Sequence, residues 1–400
     1  MIDKNAFAET PCRRPLRKAP LAAALSLMVA GMASPAMAEV SFESDNGWKV
    51  GVNGHLPIFA IFGDYDGSSA ATGPGNAGED SFGITTGFNP ATLQTNIYAP
   101  MQNGLQVSGH FQMNASIAPG DADEEFRSRV SEIAVAGDFG TFNIGKGFGI
   151  FGTPAIGDNG SGMGVGLIGS DGPDQVAATA GRIGNGYFYA DFTPRVMYTS
   201  NNLGGLQFKV GLFSPSKVNS DSDATTAEVS DAEYSMPRIE ANVVYSADSF
   251  SLWSSGFTQD VGSKTGTNEY TMSGIDFGGS VSLGDLAVRG NYSMTSGTGN
   301  GVFSQGRFDP EEQDATQWYV ETTYKIDRTT LGASYGEGED DYVESAVGAA
   351  RGAGDSDLTM LFARYAATDN FTLLAEYQIY GTGDGDGEYN AIIFGSQLTF

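Results

Sequence analysis

The chain is almost without cysteine and histidine and is poor in positive charge. Its 400 residues hold a single cysteine, Cys12, and two histidines, His55 and His110. That scarcity excludes a disulfide framework and a cysteine-based metal centre. Lysine and arginine number 21 against 48 aspartates and glutamates, for a formal net charge of −27. Binding nucleic acid through its phosphates needs a basic face, which this balance does not supply. H-E-x-x-H does not occur, so the metalloprotease signature is missing. Two G-x-G-x-x-G spacings in the glycine-rich stretch, at 147–152 and 164–169, open no helix of a βαβ unit, and the dinucleotide-binding reading fails on that context. We expect no enzymatic activity and no resident cofactor. Long apolar runs are absent too: no stretch approaches the ~18 residues of a membrane-spanning helix. A spanning β-strand needs only ~9–11 residues with one apolar face, so that route across a membrane stays open.

What is present begins with an export signal. Lys4, Arg13, Arg14, Arg17 and Lys18 form a basic n-region, residues 21–33 an apolar core, and Ala36-Met37-Ala38 an A-x-A cleavage site. Residues 1–38 are expected to be removed after Sec export, a reading preferred to twin-arginine export from Arg13-Arg14. Residues 39–400 then form one domain of 362 residues with 16 basic and 46 acidic side chains and no cysteine.

Residues 105–117, LQVSGHFQMNASI, alternate strictly. Leu105, Val107, Phe111, Met113 and Ile117 share one face, and Gln106, Ser108, His110, Gln112 and Asn114 the other. Such a run outlasts the usual strand of a soluble sheet. The pattern recurs near 48–62, 81–100, 104–117, 127–137, 141–147, 188–200, 205–213 and 237–247. It continues near 249–259, 269–283, 285–295, 314–326, 329–336, 357–367, 370–380 and 390–400. Seven short turns, among them GDFG at 137–140 and TDN at 368–370, alternate with eight mostly longer connections. This two-sided asymmetry predicts an all-β transmembrane antiparallel barrel of about sixteen strands. Closure pairs every backbone group, which hydrocarbon demands. Phe62, Tyr98, Tyr198, Tyr245, Tyr292, Tyr324, Tyr365 and Tyr377 are expected in the interfacial girdles. A barrel of that size leaves an aqueous lumen.

Strand parity sorts the charges. With Phe192, Pro194, Val196 and Tyr198 toward lipid, Arg195 faces the lumen. The same test turns Lys209, Arg289, His110 and Glu132 inward; a charge is tolerated there and disfavoured on the lipid face. The glycine-rich stretch 147–187 keeps no period. A water-filled barrel is a setting where irregular backbone can lie at membrane depth, because it lines a cavity.

Three places resemble the trimeric porins of Gram-negative bacteria. VAGDFGTFNIGKGFG at 135–149 is similar to the strand before their third loop. GRIGNGYFYADFTPRVMYTS at 181–200 resembles the strand returning from that loop in porins of marine gammaproteobacteria. The terminal Phe400 is similar to the family's assembly signal. The resemblance implies a sixteen-stranded homotrimer in the outer membrane whose third long loop folds into the lumen. There, acidic loop residues face a ladder of basic wall residues. Asp158, Asp171 and Asp174 would be the loop carboxylates, with Arg182 on the way out, facing Arg195 and Lys209. By position, Lys146 matches a basic wall residue. Glu132 departs from the pattern, standing where a wall arginine is common, and the loop lacks the Pro-Glu-Phe-Gly-Gly-Asp motif of enterobacterial porins.

The implied partners are outer-membrane lipid and lipopolysaccharide, the barrel-assembly machinery reading Phe400, and small hydrophilic solutes. The expected function is passive diffusion of such solutes and ions, with cation preference following the negative charge. A substrate-specific channel with a saturable loop site is the alternative, and a surface-binding barrel a third reading. TGDGDGEY at 382–389 is no EF-hand, since Tyr389 and Gly395 stand where Gly and Glu are required. Loose Ca²⁺ or Mg²⁺ binding there and at 337–341 remains an expectation for the acidic outer loops.

Overall fold

A computed structural model describes residues 39–67, 80–115, 127–160, 164, 168–170, 176–178, 181–217, 232–264, 269–299, 301, 314–340, 355–382 and 387–400. The expected signal, 1–38, lies outside the described residues, as do Asp171, Asp174, Asp341, Asp384 and Asp386. Alternating segments become strands because one apolar side chain in two satisfies a lipid face while each ladder satisfies the backbone. In chain order these are β1 (Val40–Glu43), β2 (Lys49–Gly67), β3 (Asp80–Thr85), β4 (Ala91–Tyr98), β5 (Gln106–Ala115), β6 (Arg127–Gly137) and β7 (Gly140–Phe148). A small hairpin of β8 (Ile168–Ser170) and β9 (Val176–Ala178) follows. Then come β10 (Phe192–Thr199), β11 (Leu206–Phe213), a two-residue β12 (Ala232–Glu233), β13 (Arg238–Ser246), β14 (Phe250–Ser263) and β15 (Tyr270–Leu283). The last are β16 (Leu286–Ser296), β17 (Asp314–Ile326), β18 (Thr329–Asp340), β19 (Ser356–Ala366), β20 (Phe371–Thr382) and β21 (Gly387–Thr399).

Each wall strand pairs antiparallel with its neighbours, and β2 pairs with β21 from His55↔Thr399 to Gly67↔Gly387, closing the barrel. β3 and β4 both pair with β2 and share one place in the wall, so the wall has sixteen positions. The chain end completes the seam. Phe400 N donates to Gly54 O at 3.0 Å and Gly54 N to Phe400 O at 2.8 Å, while β1 lies along Lys49–Val52 below. Outward side chains such as Leu331, Leu361, Ile392 and Phe394 are exposed, as a lipid-facing band requires.

The predicted strand at 81–100 is interrupted at 86–90. Pro90 has no N–H for the ladder, and Phe88 N turns to Gly164 O of the long loop at 3.2 Å. The predicted strand at 188–200 starts only at Phe192, because 181–191 fold as a compact turn. Tyr98 faces the lumen rather than the girdle, its hydroxyl 3.4 Å from the Glu39 carboxylate. Tyr245, Tyr324 and Tyr365 stand exposed beside the short turns.

Candidate functional site

The described parts of the connection between β7 and β10, at 149–160, 164 and 181–191, lie inward and fasten to the lumen face of strands β13–β20. Its descending limb begins under two wall carboxylates. Ile150 N and Phe151 N donate to Glu240 Oε2 at 2.6 and 2.9 Å, and Glu240 is held by Arg238 Nε at 2.8 Å. Gly152 N reaches Ser255 Oγ at 3.1 Å, whose hydroxyl donates to Asp276 at 2.6 Å. Next, Arg289 donates to the Pro154 carbonyl and, through Nε, to the Tyr319 hydroxyl at 3.0 Å, its guanidinium 4.6 Å from the Trp253 ring centre. At the tip, Asn159 N and Gly160 N donate to Glu321 at 2.7 Å each, and Asn159 Nδ2 at 3.0 Å. Arg364 donates to the Asn159 and Gly160 carbonyls and lies 3.6 Å from Glu376.

Loop amides therefore meet wall carboxylates and loop carbonyls meet wall guanidiniums. Charge-assisted bonds of this kind are about twice as strong as neutral ones, and the buried backbone of an aperiodic loop must find such partners. Aromatic packing reinforces them: Phe151 packs tilted against Phe257 of β14 at 4.7 Å and Phe188 stacks on it at 5.9 Å, all three buried.

The expected site residues fall as follows. Glu132 and Arg195 both face the lumen and pair with each other at 2.9 Å, with Asn143 Nδ2 donating to Glu132 at 2.9 Å. Lys209 stands half-buried on the same wall, cross-strand from Asn242. His110 faces inward between Ser108 Oγ at 2.9 Å and Asn96 Oδ1 at 2.8 Å. Arg289 faces inward and holds the loop. Asp158 lies on the loop but is fully buried, 3.8 Å from Arg182 of the returning limb. Among the expected residues the ion pairs thus run Glu132–Arg195 along the wall and Asp158–Arg182 within the loop.

Two placements differ from the expectation. Lys146 pairs with Ser131 and Pro194 and shares its face with the exposed Phe142 and Ile144, so it points out of the barrel. Its ammonium reaches Ser128 O at 3.0 Å. Position after the turn suggested a wall residue of the lumen, but alternation puts Asn143, Gly145 and Gly147 on that face. Phe192 is buried against Phe148 at 5.0 Å instead of facing lipid, because the strand end there is already covered by the loop.

Arg238, Glu240, Asp276, Glu321, Arg364 and Glu376 were not anticipated. Parity alone would have found them, since each stands between outward residues such as Ile239, Ile275, Phe277, Val320, Leu361, Tyr365 and Tyr377. An inward charge in a strand was the available signal.

A family model of the Gram-negative porins matches residues 22–385. A search of curated protein sequences finds no match. Among solved structures, the chain is similar to the outer-membrane channel DcaP of Acinetobacter baumannii, at 16% identity and a TM-score of 0.67, covering 90% of this chain and 100% of that one. It is similar also to an anion-selective porin from Comamonas acidovorans, at 12% identity and a TM-score of 0.61 over 88% and 100% of the two chains. A trimer form of OmpT from Vibrio cholerae matches at 16% identity and a TM-score of 0.53, over 88% and 99%. With the matched family, a closed sixteen-position barrel and a loop fastened across its lumen, the chain belongs to the Gram-negative porins and forms a water-filled diffusion channel of the outer membrane.

Proposed function

We propose that the protein works as a homotrimer through which small hydrophilic solutes and ions diffuse passively, with no chemical step and no resident cofactor. The observation that carries this reading is the inward loop 149–191, held on strands β13–β20 by bonds at both its descending limb and its tip. A loop so fixed narrows the lumen to a constant aperture, and discrimination is by size, charge and hydration.

Wall height supports the trimer. β10 and β11 have 8 residues each and β7 has 9, against 14 in β14 and β15. Eight residues at ~3.3 Å each, tilted ~40°, rise only about 20 Å, short of the ~25 Å apolar band that lipid requires. The outward Lys146 lies on this low wall, where a second copy covers it better than lipid does. Lipid and lipopolysaccharide would surround the taller strands, and Phe400 would serve the assembly machinery.

The sequence charge favours cations, and Asp171 and Asp174 are the proposed selectivity carboxylates. The preference is weak, because Glu132, Asp158, Glu240 and Glu376 are each already paired with an arginine. The acidic outer loops, near Glu337 and at 382–389, bind Ca²⁺ or Mg²⁺ only loosely. Liposome swelling tests the reading: small neutral sugars should enter at rates falling with size, while exclusion of all of them would oppose it. Saturable entry of one solute alone would favour the substrate-specific alternative.

A further inference from the structure

We propose that residues 181–187, GRIGNGY, form a knob whose seating in a socket on strands β17–β19 sets the aperture of the channel, with Arg182 as its positioning residue. The proposal rests on the reading of loop 149–191 as the constriction.

The knob is a folded unit. Gly181 and Gly184 have φ of 58° and 84°, values that only glycine adopts without strain. Asn185 N and Tyr187 N both donate to the Arg182 carbonyl, at 3.0 and 3.2 Å, and Arg182 N donates to the Tyr187 hydroxyl at 3.0 Å. Arg182 and Tyr187 are fully buried.

The wall has a matching hollow. The Arg182 guanidinium donates to Leu358 O at 3.1 Å and to Ser334 Oγ, and it lies 5.8 Å from the Tyr319 ring centre. Gly186 N donates to Gln317 Oε1 at 3.2 Å. The floor is Gly336 of β18. A Cβ there would stand 2.8 Å from Arg182 Nη1, 2.7 Å from the Trp318 carbonyl of β17 and closer still to the Asn185 carbonyl. From the other side, a Cβ on Gly186 would stand 2.9 Å from the Tyr319 side chain. Glycine inside a strand weakens it and marks a close approach of another backbone. Here the approaching backbone is the knob.

Arg182 also faces Asp158 of the descending limb at 3.8 Å. One guanidinium thus ties the returning limb, the descending limb and the wall, so the depth of the knob in its socket sets where both limbs cross the lumen. Ordinary contact needs about 3.5 Å, so a methyl group at position 336 overlaps the knob by roughly 1 Å and displaces it, pressing at the same time on the Trp318 carbonyl of the paired strand.

The test compares Gly336→Ala with Gly109→Ala, a strand glycine whose added Cβ meets nothing closer than 4.0 Å. Both should give heat-modifiable, folded barrels. Gly336→Ala should shift single-channel conductance by about 1.5-fold or more and lower the sugar exclusion limit, since a pore conducts according to its narrowest diameter. Arg182→Lys, which keeps the charge and loses the fork, should add current substates, and Gly109→Ala should match wild type. Wild-type conductance and exclusion limit in both Gly336→Ala and Arg182→Lys would overturn the proposal. So would failure of both to fold while Gly109→Ala folds, since the knob would then serve assembly. A wild-type protein that does not conduct would instead remove the constriction reading itself.

Discussion

Replacing Glu321 by glutamine tests how the loop tip is held. The carboxylate accepts three bonds from the loop, two from backbone amides at 2.7 Å and one from Asn159 Nδ2 at 3.0 Å, and it is buried. Glutamine keeps the shape but offers one acceptor oxygen and turns an NH₂ toward the second amide. Hydrogen bonds to a charged group contribute about 1.5–3 kcal/mol and neutral ones about 0.5–1.5, while an amide left buried without a partner costs about 1–3 kcal/mol. The gross loss is therefore about 3 kcal/mol. A loss of ~3 kcal/mol shifts the docked-to-released equilibrium of the tip on the order of 100-fold. The ladders between β17 and its neighbours do not involve the side chain, so the heat-modifiable barrel should survive. Single-channel recording should then show added substates or open-channel noise relative to wild type. Glu240→Gln should behave alike, since Glu240 caps two loop amides. Quiet, wild-type currents from a folded Glu321→Gln barrel would refute the claim that these carboxylates fasten the loop.

Further outcomes follow from the same geometry. Glu132→Gln leaves the buried Arg195 without its ion partner; breaking such a pair costs about 3–5 kcal/mol, so refolding yield should fall, and the surviving channels should pass anions more readily, read from reversal potential. Deleting Phe400 removes both bonds to Gly54 and should cut the yield of heat-modifiable barrel. Val196→Arg on the low wall should convert trimers to monomers on semi-native gels. Leu361→Arg on the tall wall should leave the trimer intact but lower folding yield, as arginine costs about 2–4 kcal/mol at the lipid midplane. Joint Asp171→Asn and Asp174→Asn substitution should reduce cation preference measured as reversal potential in a salt gradient.

The barrel was legible because lipid enforces a period. A strand such as β6 (Arg127–Gly137) or β17 (Asp314–Ile326) must put an apolar residue outward at every second position, so alternation marks strands and their faces together. The same parity placed Arg195, Lys209, Arg289, His110 and Glu132 inward. Parity names a face and not a partner, however. Nothing in the local pattern says that Glu132 takes Arg195 or that Asp158 takes Arg182, because those pairings depend on strand register and on where an aperiodic loop settles. Position after the turn likens Lys146 to a lumen residue, whereas alternation with Phe142 and Ile144 puts it on the outer face, where the structure has it. The break at 86–90 and the burial of Phe192 come from the loop packing against the wall, a tertiary contact that no strand-level period encodes. Gly336 reads as a weak point in a strand until Arg182 and Asn185 are seen to occupy the space it leaves.

The central claim is that this chain encloses a water-filled path narrowed by its own inserted loop. Planar bilayer recording on the purified, unheated protein tests that most directly. The account predicts discrete conductance steps in KCl, closing in three equal decrements per inserted unit, with a reversal potential of modest cation sign. A bilayer that stays sealed while the protein is shown to be inserted and folded would contradict it.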